Sequence, residues 1–386
     1  MMLIKKWKQL DWAIVIILAL FMIVSFVVIR SAVYSDPDFA GAHVRQLFYY
    51  LLGFAVLFGA SAFHYRLLLK LAPYLYVAGL GGLAAVYFFG AVINSSRGWF
   101  VVPGLGINVQ PAEIMKLLLI LMVAYWLARK EQEPLEFGRD LVPTGLIVLA
   151  PFALVVIQPD LGNAIIYLVI MIGMLWIANI KYAHVLIGLA AAAAAIAGTL
   201  YLIDTFHDPI ERFLSEHGSG HWMDRIDAFL YPEQASSDQR YQLVNSLLAI
   251  GSGSLFGEGY LQGSSVHNNR IPYTYSDSIF VVIGEEFGFM GASVLLLLYF
   301  LLIYRLILIS IQSNEPGGSY VIIGIVSMFV FQIFQNIGMF LDILPLTGIT
   351  LPFISYGGSS LLINMLSIGI ALSIKVHAKE PLDEMS

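Results

Sequence analysis

The chain contains no cysteine, so no disulfide, no thiolate metal site and no cysteine nucleophile belongs to it, and its loops must be held by packing and hydrogen bonds. Charge is also scarce. Only 12% of the 386 residues are Asp, Glu, Lys or Arg, against 59% hydrophobic residues, and the net charge of −6 is spread through loops. No basic patch of the size a nucleic-acid partner needs is present, which excludes that class. No small-residue cleavage site follows Lys5, Lys6, Lys8 and the apolar run behind them, so that run reads as a retained span rather than a signal peptide. There is no tandem repeat and no evident linker. Residues 1–386 are therefore expected to form a single polytopic membrane unit: 1–203 with seven spans, 204–276 as a large extracellular loop, and 277–386 with three more.

What the sequence does have is apolar length. A mean hydropathy of +0.81 cannot be buried inside one soluble core. Runs long enough to cross a bilayer fall at 12–31, 46–63, 71–93, 112–128, 141–157, 162–179, 183–203, 277–309, 319–341 and 353–375. The expected fold is an all-α integral membrane protein of ten transmembrane helices, with the long extracellular loop between the seventh and eighth. Basic residues orient it: Lys5, Lys6, Lys8, Arg66, Lys70, Arg129, Lys130, Arg139, Lys181, Arg305, Lys375 and Lys379 fall in alternate loops, which places both termini in the cytoplasm. The opposite loops carry Asp36, Asp38, Arg45, Arg97, Asp160, residues 204–276 and Asp342, and not one lysine.

Polar groups at the membrane boundary are the candidates for chemistry. Asp277, where the long polar loop runs into the eighth span, is placed to act as a base reachable by substrate; the alternative is a helix N-cap. Asp160, in Gln158-Pro-Asp-Leu-Gly, can approach the same site as a helper or as half of a divalent-cation site, or can be an ordinary turn residue after proline. Glu113 and Lys116 stand three apart on one face of the fourth span and are expected to pair toward the bundle interior. Arg97 and Trp99 offer a cation and an aromatic plane at the outer interface, where anchoring alone would also explain them. Gln332, Gln335 and Asn336 in the ninth span are expected to make interhelical hydrogen bonds. The prolines and glycines from Leu344 to Ser360 break the helix there. Ala190–Ala195 is expected to be a close-packing face, with a lipid-facing surface as the alternative. The glycines of Gly251–Gly259 fit no nucleotide-binding spacing.

Five motifs in order, Gln110-Pro-Ala-Glu with Lys116, Gln158-Pro-Asp-Leu-Gly, Ala249-Ile-Gly-Ser-Gly, Ser276-Asp-Ser-Ile-Phe with Gly284-Glu-Glu-Phe-Gly, and Leu351-Pro-Phe-Ile-Ser-Tyr-Gly-Gly-Ser-Ser, resemble the SEDS family of shape, elongation, division and sporulation proteins. The Leu10-Asp11-Trp12 entry and the Pro345–Pro352 stretch look more like its rod-shape branch than its division branch. Three positions depart from the family pattern: Ala112 replaces a serine, Ser276 and Ser278 flank Asp277 in place of threonine and phenylalanine, and Gly98 separates Arg97 from Trp99. The resemblance implies a peptidoglycan glycosyltransferase of the bacterial cytoplasmic membrane that polymerises lipid II on its outer face and works with a class B penicillin-binding protein. It matches the family's catalytic aspartate to Asp277. Outer-loop arginines, Arg225 and Arg270 among them with Arg212 and Arg240, would then stabilise the departing diphosphate. A lipid flippase or transporter, and a non-catalytic scaffold of the cell-wall machinery, are the rival classes.

Overall fold

The computed structural model describes residues 9–93, 96–102, 107–130, 133–216, 220, 223, 237–268 and 270–378. It is nearly all helical: α1 (Trp12–Ala32), α2 (Ala42–Ala62), α3 (Tyr65–Phe89), α4 (Pro111–Ala128), α5 (Val142–Ile157), α6 (Leu161–Ile177), α7 (Tyr182–Thr205), α8 (His207–Glu216), α9 (Ser237–Ser252), α10 (Ser264–His267), α11 (Ile279–Ile311), α12 (Pro316–Phe340) and α13 (Gly358–His377). Among the described residues nine helices are long and apolar enough to span a membrane: α1 to α5, α7 and α11 to α13. The sixth expected span is α6, an apolar helix of 17 residues. At 1.5 Å per residue it reaches about 25 Å, short of the roughly 30 Å hydrocarbon layer.

Local chemistry sets several boundaries that periodicity misplaced. The third helix starts at Tyr65 and ends at Phe89, because the next residues leave it for a three-stranded antiparallel sheet of β1 (Ala91–Ile93), β2 (Ser96–Val102) and β3 (Ile107–Val109), ordered β1-β2-β3. Among the described residues this sheet is the one departure from the all-helical expectation. Pro111 at the first position of α4, after extended Gln110, fixes that start. The last span begins at Gly358, not 353, because Pro352 to Gly357 stay non-helical, with Phe353 at φ +67°.

One apolar core joins α1–α6 with α11–α13, and α7 stands outside it. Only Ile203 of α7 is buried. Ala190–Ala195 is exposed, which overturns the close-packing reading and leaves the lipid-facing one. Small side chains permit close approach but do not supply a neighbour, and a helix that is apolar all round is stable against lipid chains.

The eighth expected span is two helices. At 33 residues α11 would measure about 50 Å if continuous, too long for one crossing. It breaks at Gly288, whose φ of 60° and ψ of −160° lie in a region essentially confined to glycine. The groups freed by the break are recovered by the preceding loop. Glu258 and Gly259 donate their amides to the carbonyls of Glu285 (2.9 Å) and Glu286 (3.1 Å), while Phe289 and Met290 donate to Ser254 (2.9 Å) and Leu255 (3.0 Å). A Cβ at Gly253 would stand 2.0 Å from the Gly284 oxygen, and one at Gly257 2.1 Å from the Glu286 oxygen. The glycines of Gly251–Gly259 therefore serve backbone contact rather than phosphate binding. The side chains of Glu285 and Glu286, both buried, fasten the same loop: Glu285 accepts the amides of Ser265 (2.7 Å) and Val266 (3.1 Å), and Glu286 accepts Ser31 Oγ (2.5 Å) from α1.

The end of the bundle that carries Asp11 and Lys375 is closed by ion pairs. Asp11 accepts Arg305 Nη2 at 2.5 Å and Lys375 Nζ at 2.7 Å. Glu315 accepts Arg66 Nη2 and Tyr65 Oη, each at 2.7 Å, and Lys130 pairs with Asp140.

Candidate active site

At the opposite end of the bundle a cavity of about 620 Å³ opens among the loops before α2, α4, α6, α11 and α13. Asp277 lines it and is half-buried. The helix that follows is capped by Ser278 without a side-chain hydrogen bond, so Asp277 is not its N-cap. Ser276 Oγ donates to Asp277 Oδ1 at 2.6 Å. Across from it Gly348, at φ +72°, presents no side chain; a Cβ there would lie 3.6 Å from Asp277 Oδ2 and narrow the approach to the carboxylate.

Asp160 and Glu113 line the same cavity. Asp160 is a turn residue at the start of α6. It caps α6 by accepting Asn163 N (3.1 Å), and its other oxygen accepts Asn163 Nδ2 and Gln110 Nε2, each at 2.8 Å. Burial raises its pKa above the ordinary carboxylate value, opposed by the Asn163 hydrogen bonds, with nearby Glu113 adding to the rise and Lys116 countering it. Glu113 pairs with Lys116 at 2.7 Å, and the lysine is fully buried. The pair is on the interior face that its spacing predicts. Glu113 Oε2 is buried with no hydrogen-bond partner among the described residues.

Among the described residues the cation that lines this cavity is Arg45, near the start of α2. Its guanidinium lies 5.8 Å from the ring centre of Tyr356, and among the described residues no carboxylate is within ion-pair distance of it. Arg212, Arg240 and Arg270 are exposed and do not line the cavity, and Arg225 lies outside the described residues. Arg97 is in β2, paired in register with Val92, and its side chain is outside the described set; Trp99, two residues on, does line the cavity. Sequence reading placed Arg45 only in an outer loop. Its signal was the Arg45, Gln46, Tyr49 set at helical spacing, a polar cluster opening an otherwise apolar run.

Aromatic rings form the wall beside Arg45. Phe39 stacks on Tyr275 at 3.9 Å, Tyr275 meets Tyr356 edge-on at 6.2 Å, and Tyr356 meets Tyr49 at 6.2 Å. Burial pushes the phenols of Tyr275 and Tyr356 up to about 12, so both remain neutral donors at physiological pH. The first residues of α13, Gly358, Ser359 and Ser360, complete this side, and no side chain caps that helix. Its first-turn amides are therefore available to an anion in the cavity. The cavity carboxylates do not converge into a three-ligand set for a divalent cation. Among the described residues the one such cluster is His207, Asp208 and Glu211 on exposed α8.

Fold and site define a polytopic membrane protein with an acidic, aromatic-walled cavity open at one membrane surface. Residues 8–380 match the model of the cell cycle protein family that groups FtsW, RodA and SpoVE. The chain is 32% identical to stage V sporulation protein E of Bacillus subtilis (strain 168), over 96% of this chain and 98% of that one. It is also 32% identical to peptidoglycan glycosyltransferase MrdB of Escherichia coli (strain K12), over 96% and 95%. Among solved structures it is similar to a chain from a peptidoglycan synthase complex, with a TM-score of 0.78 and 28% identity over 96% of this chain and 99% of that one. It is similar too to the rod shape determining protein RodA of Thermus thermophilus, with a TM-score of 0.69 and 28% identity over 96% and 98%. The chain belongs to the FtsW, RodA and SpoVE family, the SEDS family of its motifs, and is a multi-pass protein of the cytoplasmic membrane.

Proposed function

We propose that this protein is a peptidoglycan glycosyltransferase that polymerises lipid II, and that Asp277 is its general base. The observation that carries this reading is the placement of Asp277 in a 620 Å³ cavity that also holds Asp160, Glu113 and Arg45, at one surface of the family fold. The acceptor sugar's 4-hydroxyl attacks the anomeric carbon of the donor. The new glycosidic C–O bond forms, the bond to undecaprenyl diphosphate breaks, and the hydroxyl proton passes to the Asp277 carboxylate. Arg45 and the first-turn amides of α13 face the charge that develops on the departing diphosphate. Glu113 and Asp160 also line the cavity, with Lys116 buried behind Glu113. No step is routed through a metal ion.

The lysine-free loops at the Asp277 end, against the basic residues at the other, support an orientation with the cavity outside and both termini in the cytoplasm. That is where the head of lipid II would be met. Likeness to a chain from a peptidoglycan synthase complex supports a class B penicillin-binding protein as partner, and likeness to a rod shape determining protein supports a role in elongation. The test is glycan polymerisation from lipid II by the purified protein, run beside a lipid-translocation assay on the same preparation in vesicles. Polymer without translocation is expected. Translocation without polymer would make the protein a flippase, and neither activity a scaffold.

A further inference from the structure

Three consecutive backbone carbonyls around the candidate base are each held by a donor from the polypeptide that follows. The Tyr275 oxygen accepts the Tyr356 amide at 2.9 Å, the Ser276 oxygen accepts Ser355 Oγ at 2.6 Å, and the Asp277 oxygen accepts Asn336 Nδ2 at 2.7 Å. Asn336 is fully buried in α12 and spends its second amide hydrogen on the Ile349 oxygen, also at 2.7 Å. One side chain thus joins the Asp277 turn to the broken segment before α13. Ser355 is a relay as well, because its hydroxyl accepts the Leu351 amide at 2.8 Å while donating to Ser276.

The broken segment is itself immobilised. Its successive carbonyls from Pro352 to Ser355 accept, in order, Tyr299 Oη (2.5 Å), Tyr50 Oη, Ser25 Oγ (2.8 Å) and Gln46 Nε2 (3.1 Å), donors drawn from α11, α2, α1 and α2. Non-helical backbone at membrane depth requires such partners, but partners on four successive residues do more than satisfy it. They fix the segment to the packed helices, and the segment in turn fixes Asp277. The side chain of Asp277 lines the cavity, and its main chain is tied from behind.

We propose that Asn336 and Ser355 are positioning residues that hold the Asp277 carboxylate at its reacting distance, an inference that rests on the reading of Asp277 as the base. Neither lines the cavity, so neither touches substrate. The expectation that the ninth-span amides serve general interhelical bonding is sharpened accordingly: Asn336 bonds to the site's own backbone, and Gln335 Nε2 holds the Pro345 oxygen at 3.0 Å.

The test uses the full chain, purified, with lipid II as substrate, and reads kcat, KM and melting temperature for Asn336→Leu, Ser355→Ala and Ser355→Thr. A base displaced by about 1 Å costs on the order of a hundredfold in rate without altering groups that bind substrate. Asn336→Leu and Ser355→Ala are therefore expected to lower kcat by roughly ten- to a hundredfold with KM changed less than about threefold. Ser355→Thr, which keeps the hydroxyl, restores kcat to within a few-fold at an unchanged melting temperature. Full kcat in Ser355→Ala overturns the proposal, as does a loss in which kcat, KM and melting temperature all fall together and threonine rescues none of them. Asp277→Asn run in parallel separates the two readings. If it is inactive while Ser355→Ala is fully active, only the positioning role fails; if Asp277→Asn is itself active, the base must be sought elsewhere.

Discussion

The two ends of the bundle handle charge in opposite ways. At the end away from the cavity, Asp11 is shared by Arg305 and Lys375, Glu315 by Arg66 and Tyr65, and Asp140 meets Lys130. At the other end Asp160 is held by neutral amides, and Arg45 lies over a tyrosine ring. Ion pairs consume charge to fasten helix ends. In the cavity Glu113 is paired with Lys116, while Asp160 is met by amides and Arg45 by an aromatic ring, so carboxylates and a guanidinium share one solvent-reachable space, which is the electrostatic mark of a working site.

The comparison can be broken by substitution, beginning at the cavity. Asp277→Asn keeps size and much of the hydrogen bonding but cannot take a proton, so polymerisation is expected to fall by roughly a hundredfold to ten-thousandfold. Arg45→Ala removes the cavity cation and is expected to cost about ten- to a hundredfold in lipid II turnover, the size of one charge-assisted contact. Arg45→Lys should recover only part of this, because an ammonium cannot match phosphate oxygens in a planar fork. Unchanged turnover in Arg45→Ala would return the diphosphate to another group.

Glu113→Ala and Lys116→Ala sharpen the comparison from the cavity's buried pair. Each single change leaves an uncompensated buried charge, a cost of about 3–5 kcal/mol, whereas removing both leaves none. The double variant should therefore lose less folded protein than the sum of the singles, read as melting temperature in a double-mutant cycle. Additive losses would mean that the 2.7 Å contact contributes nothing.

The smallest effect on activity is expected at Asp11. Burial alone would raise its pKa, but the hydrogen bonds and charges of Lys375 and Arg305 outweigh that and hold it below the ordinary carboxylate value. A depressed carboxylate contributes stability that is present above the unfolded value and lost as pH falls through the folded one. Melting temperature should accordingly drop on acidification below about pH 4, and Asp11→Asn should flatten that drop while leaving kcat unchanged.

Much of this was legible in the sequence because the bilayer imposes long apolar runs and makes each intramembrane charge conspicuous. Asp277, Asp160 and the Glu113–Lys116 pair could be found that way, and the five motifs gave the family. What stayed hidden depends on tertiary contact. Gly288 breaks α11 because the Gly253–Gly259 loop is there to receive its backbone groups, a partnership between segments about thirty residues apart that no periodicity reports. The arginine count drew attention to the long loop, yet the cation at the cavity is Arg45, a single residue brought there by the packing of α2 against α13. Asn336 showed only as a polar residue in a span. Its bond to the Asp277 carbonyl requires the fold.

The central claim is that Asp277 at the cavity end serves turnover and that Asp11 at the other end serves folding. Its most direct test is a crossed measurement of melting temperature at neutral pH and of lipid II polymerisation on Asp277→Asn and Asp11→Asn, prepared side by side. The account predicts that Asp277→Asn loses polymerisation with its melting temperature retained, and that Asp11→Asn loses melting temperature with polymerisation per folded molecule retained. Both properties falling together in Asp277→Asn, or polymerisation surviving in it within a few-fold of the parent, would contradict the account.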